Sequence, residues 1–180
     1  AATSGARDLQ NYQTEEQIRQ LQKNLNDTYE SKDDMEDSLD ELREQGKTAS
    51  AQVASAQASV DALSQSLGVQ KQDLAAKQTA MNEAKADYDS KTASSSTATE
   101  EEKKAAEAAY NTAKPEYDAA AAAVTATSSQ LALAKQGLSA AQAGVNTINS
   151  GKTQLKSGID QIETSQDTLT DSLNTAKQAY

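Results

Sequence analysis

Nine carboxylates crowd into one short run of this chain: Asp27, Glu30, Asp33, Asp34, Glu36, Asp37, Asp40, Glu41 and Glu44. Such a density invites two chemistries, calcium binding and acid–base catalysis. Calcium needs oxygens that converge from several directions, usually from a loop. The run has no D-x-D-x-D-G pattern, and its periodicity is helical. Acid–base work needs a concave site that pushes two pKa values apart. The chain also has no His to shuttle protons. One fragment of a phosphate loop occurs, Gly151-Lys152-Thr153. The glycine that should stand six residues ahead of its lysine is replaced by Asn146. With no Cys there are no thiolate metal sites and no disulfides. The expectation is a non-enzymatic chain with no catalytic residues, no cofactor and no metal.

The elements that carry these residues are read from spacing. From Ile18, one row runs Leu25, Lys32, Leu39, Gly46, Val53, Val60, Leu67, Leu74, Met81, Tyr88. A second runs Leu21, Thr28, Met35, Leu42, Ala49, Ala56, Leu63, Gln70, Lys77, Ala84. These are the a and d rows of an unbroken heptad, the mark of a left-handed coiled coil. A second set starts at Tyr110 and runs through Tyr117, Val124, Leu131, Leu138, Val145, Lys152, Ile159, Gln166 and Leu173 to Tyr180. Its d row is Ala113, Ala120, Thr127, Ala134, Ala141, Ile148, Leu155, Ile162, Leu169, Ala176. Two independent heptad sets exclude a disordered chain. In this frame the nine acids fall almost entirely on b, c and f positions and point outward. Lys32 and Lys152 stand in the seam, from which their long stems can reach nearby acids.

Between the sets lies KTASSSTATEEEKK, a Ser/Thr cluster that reads as a turn. Thr99 and Glu102 form a capping box, with Glu100 and Glu101 in the first helical turn. The fold class expected is all-α, a long antiparallel two-helix coiled-coil hairpin. One elongated domain spans 1–180, with helix one at about 6–91, the turn at about 92–98 and helix two at about 99–180. At 1.5 Å per residue each arm is about 110–120 Å long. The register that best fills space sets Met35 against Ile159, Leu39 against Leu155, Gly46 against Ile148, Ala49 against Val145 and Leu63 against Leu131. It also pairs Thr28 with Gln166, so that two polar residues share a layer. A slip of one heptad would put Gly46 on Ala141 and leave a gap. Pro115 predicts a local kink. Leu9 and Tyr12 lie off the heptad phase, where the end of helix one is expected to fray.

One row runs against helix propensity. Gly137, Gly144, Gly151 and Gly158 recur every seventh residue at g positions beside the seam. They face Ser59, Gln52, Gln45 and Ser38 in the expected register. They form either a close-packing face or a flexible one. The exposed turn, Ser94, Ser95, Ser96, Thr97, Glu100 and Glu101, is the expected point of partner contact.

A net charge of −10 excludes a nucleic-acid binder, which needs a basic face. It also argues against a helix lying on an anionic bilayer, and no run is apolar enough to span one. The opening AATSGARDLQ has neither an initiator Met nor a signal peptide and reads as a fragment of a longer protein.

By sevens, helix two reads GLSAAQA, GVNTINS, GKTQLKS, GIDQIET, SQDTLTD. The phrase INSGKTQLKSGIDQI resembles the extracytoplasmic coiled-coil segments of Gram-positive membrane proteins. It is most similar to those of FtsX-like (MacB-type) ABC transporter permeases, and next to the YhgE/Pip family. The likeness covers residues 130–175 best and ALSQSLGVQKQDLAAKQTAMNEAK more loosely. It implies an extracellular rod of a membrane-anchored transporter, on the outer side of the bacterial cell membrane. Such a rod would engage a protein partner or exported substrate, or couple motion in its host. The alternatives are a spacer or stalk of a surface protein and an adaptor-type hairpin docking tip-first on a channel. The expected partners are another protein or the rest of the host. Ala-rich seams also leave apolar area for a homodimer of hairpins.

Overall fold

The computed structural model describes residues 2–180, with side chains from residue 4 onward. Residue 1, the first of the expected domain, lies outside the described residues. The fold is an all-α helical hairpin. Helix α1 spans Ala2–Thr92 and α2 spans Glu100–Ala179. Helix α1 begins earlier than expected, and Leu9 and Tyr12 lie within it at 59% and 58% exposure. The reason is cooperativity. Once α1 is nucleated on the seam, each further residue adds one backbone bond.

The heptads account for burial. Among the described side chains of α1, every residue that is not exposed lies on the a and d rows, extended by one step to Thr14 and Lys91. Leu39, Val60, Leu131, Ile159 and Leu173 are the large apolar side chains buried most deeply. Among the described residues none is fully covered. Two helices shield each other on one side only. Alanine fills much of the rest, with Ala49, Ala106, Ala120 and Ala176 buried.

By contacts the chain divides into two units, one of residues 1–50 and 143–180, the other of residues 51–142. In the first, the pairing follows the expected register. A β-carbon placed on Gly46 would lie 3.6 Å from Ile148 Cγ2. Lys32 Nζ reaches across to Glu163 at 3.2 Å. One expected layer is built differently. The Thr28 hydroxyl donates to its own backbone, the Leu25 carbonyl, at 2.6 Å. Gln166, 9% exposed, keeps its Nε2 without a partner. A helical threonine has a carbonyl one turn back always within reach, so it does not wait for the facing amide.

In the second unit, Lys77 stands between Asp73 on its own helix and Glu116 on the other, 4.0 Å from each. Helix α2 continues through Pro115. The proline removes one backbone donor. Across the same turn, Lys114 Nζ meets both Asp118 carboxylate oxygens at 2.6 and 2.8 Å and lies 5.9 Å from the Tyr117 ring centroid.

Candidate functional site

Four sets of residues were candidates from sequence: the acids, the seam lysines, the turn and the glycine row. The nine acids are all exposed along α1. Asp40 is taken by Arg43 and Glu44 by Lys47, each three residues away, at 3.2 and 3.0 Å. Among the described residues no group of three or more could hold a metal ion. The helix spreads these carboxylates around and along its surface instead of converging them.

The seam lysines behave differently from each other. Lys32 pairs with Glu163 and, at 3.9 Å, with Glu36. The Glu163 bond raises its pKa above the ordinary lysine value. Lys152 lies over a notch instead. A β-carbon on Gly46 would come within 2.9 Å of its Nζ. Glycine at an a position leaves room there, and the lysine stem fills it.

The turn is closed by its own side chains. The Thr92 hydroxyl donates to the Tyr88 carbonyl at 2.8 Å, and Lys91 reaches Asp87 at 3.1 Å. Of the two, the Thr92 hydroxyl supplies a donor to the last turn of α1, where a glycine cap would otherwise be common. No described residue has a positive φ. The Ser96 N–H donates to the Ala93 carbonyl at 3.0 Å, and the Ser96 hydroxyl accepts from the Ala98 N–H at 3.1 Å. Helix α2 then starts on the Thr99 hydroxyl, which accepts from the Glu102 N–H at 3.2 Å. This is the threonine half of the capping box.

The six candidate turn residues therefore divide. Ser96 is half-buried and holds the loop, whereas Ser94, Ser95, Thr97, Glu100 and Glu101 are exposed. One feature of this end was missed in the sequence. Tyr88 and Tyr110 stack across the seam, with centroids 6.5 Å apart and planes 16° off parallel. The signal was present, since both are a-position aromatics in adjacent layers of the register.

The glycine row also divides. A β-carbon on Gly158 would meet Met35 Sδ at 3.0 Å, and one on Gly151 would meet Leu42 Cδ1 at 3.1 Å. These neighbours are d residues of α1, not the expected Ser38 and Gln45. Gly137 and Gly144 have nothing within 4 Å. The row is thus two notches followed by two open positions.

Comparison with protein-family models, curated proteins and solved structures finds no match to the chain. The surface offers shallow grooves along the seam. One is lined by Asn24, Asp27, Thr28, Thr164, Thr168 and Leu169. Neutral amides and hydroxyls dominate it, with nothing arranged to activate a nucleophile. No helix among the described residues is long and apolar enough to cross a membrane.

Proposed function

We propose that the chain is a non-enzymatic helical arm inserted in a membrane-anchored host, with an FtsX-like permease as the preferred host. Its turn is the surface offered to a protein partner or substrate. The observation that carries this reading is the closure of the hairpin at its open end. Tyr180 Oη donates to Glu15 Oε1 at 2.5 Å. Near Glu15 and Tyr180 the two helices lie side by side, which suits a domain grafted into a host. The exposed hydroxyls and carboxylates of the turn supply a contact surface. The likeness of INSGKTQLKSGIDQI to extracytoplasmic segments supports the permease as host and the outer face of the membrane as location.

The test uses the absence of cysteine. Ser95→Cys introduces one exposed thiol at the turn. In cells carrying the full host protein, a membrane-impermeant maleimide should label it without lysis, with the unsubstituted protein as control. Labelling only after permeabilisation would overturn the extracellular arm.

A further inference from the structure

Among the described residues two ion pairs cross from one helix to the other, and each unit holds one. A seam lysine makes each of them. Lys32 lies between Glu36 on α1, at 3.9 Å, and Glu163 on α2, at 3.2 Å. Lys77 lies between Asp73 on α1 and Glu116 on α2, 4.0 Å from each. The acid on α1 stays beside its lysine however the helices are aligned. The acid on α2 is there in one alignment only.

Apolar packing does not single out that alignment. The turn narrows the choice to neighbouring heptads, because α1 can wind on a turn as α2 unwinds one, at the loss of the Thr99 cap. Let each seam residue of α1 face the α2 residue one heptad further on. In the first unit Leu39 then exchanges Leu155 for Ile162, and Leu42 exchanges Lys152 for Ile159. In the second, the d row of α2 repeats alanine. Met81 exchanges Ala113 for Ala120 there, and Leu67 exchanges Thr127 for Ala134. Large residues still meet small or apolar ones. What the slide removes is charge. Glu163 gives way to Thr170 beside Lys32, and Glu116 gives way to Ala123 beside Lys77. The opposite slide sets Lys32 beside a like charge, Lys156.

We propose that Lys32 and Lys77 lock the register of the hairpin, one in each unit. A lysine in a seam position costs stability and specifies alignment. Each pair is partly exposed and weak by itself. It decides because specificity is a difference, here between alignments whose apolar layers are nearly equal.

The experiment moves the two acids of α2 by one heptad without changing composition, through Glu163→Thr with Thr170→Glu and Glu116→Ala with Ala123→Glu. Nitroxides report the alignment by pulsed electron paramagnetic resonance. They are placed through Ser31→Cys with Ser150→Cys in the first unit and Thr79→Cys with Ser128→Cys in the second. All four label sites are exposed, and the chain has no Cys of its own. In the parent each pair should give one distance. In the four-substitution protein the axial offset should grow by about 10 Å in the first unit and shrink by about 10 Å in the second, the travel of one heptad. Opposite shifts distinguish sliding from fraying, and helicity by circular dichroism should hold. Adding Lys32→Met and Lys77→Met should restore the parent distances. Parent distances in the four-substitution protein overturn the proposal. So do shifted distances that survive the loss of both lysines. A loss of helicity overturns it too, since the lock selects an alignment and leaves both helices intact.

Discussion

The two ends of the glycine row make a controlled comparison. Gly151 and Gly158 stand at g positions, and so do Gly137 and Gly144. The first two are covered by a side chain of α1, and the last two are open. The difference lies in the facing helix. Leu42 and Met35 are long enough to reach across from d and fill the space over Gly151 and Gly158. One and two heptads further along, the equivalent d residues are Ala49 and Ala56. An alanine cannot reach. A repeated residue thus has two roles, and the partner's side-chain length decides which. Where the partner is long, glycine is a notch. Where it is short, glycine is only a weak helix former, costing about 1 kcal/mol relative to alanine.

Removing the long partner should break the comparison most strongly. Leu42→Ala is expected to cost about 2 kcal/mol, the low end for a leucine because the site is half-buried. It should also turn Gly151 into an open position. Gly151→Ala should then stabilise the Leu42→Ala protein more than it stabilises the parent, with a coupling of about 0.5–1 kcal/mol. Urea unfolding followed by helicity gives all four corners of the cycle. Additive effects would show that Leu42 does not set the role of Gly151.

The glycines themselves give the next largest effects. Gly137→Ala and Gly144→Ala should each stabilise by about 1 kcal/mol. Gly151→Ala should gain little or lose, since Leu42 must move to admit the methyl. Gly158→Ala should fall between, because the Met35 thioether is flexible. Gly46→Ala belongs with the gains. The atom in its way is the far end of Lys152, which can swing into water. Equal melting-temperature shifts at all four row positions would erase the distinction.

Much of this was legible before any coordinates. The seam, the turn and the register follow from spacing, because a heptad fixes which faces meet and the turn fixes the alignment. The roles of the glycines were harder to see. The expected neighbours were the residues directly facing them, Ser38 and Gln45. The atoms that arrive come from Met35 and Leu42, the neighbouring seam residues, whose side chains are long enough to reach the row. Thr28 and Gln166 share a layer without bonding to each other. A pattern of letters treats two polar residues as partners, but the hydroxyl has a nearer acceptor in its own helix. The turn residues showed which hydroxyls were available, but not that Ser96 would be spent on holding the loop.

The seam lysines extend the same lesson to charge, with a smaller effect. Lys32 finds a carboxylate on each helix, while Lys152 occupies space over Gly46. Glu163→Gln should therefore cost a little stability, and the cost should fade with added salt because the pair is partly exposed. Lys152→Met should cost nothing at any salt concentration. Unfolding at low and high ionic strength separates the two. A salt-dependent loss at Lys152 would mean that its charge matters as well as its bulk.

The smallest effect lies at the open end of the hairpin, where Tyr180 meets Glu15. The hydrogen bond to the carboxylate holds the phenol pKa above the ordinary tyrosine value. A group raised on folding stabilises the fold while it stays protonated, and that contribution is lost as pH rises through its folded pKa. The tie should therefore be intact at neutral pH and should release only above the normal tyrosine range of about 10. An NMR titration that follows the Tyr180 ring carbons should show ionisation above the ordinary tyrosine value of about 10. Glu15→Gln should bring the Tyr180 midpoint back toward that ordinary value. If Tyr180 in the parent protein ionises at that ordinary value, the open end is not tied in solution. The insertion reading would then lose the contact that brings its two ends to one place.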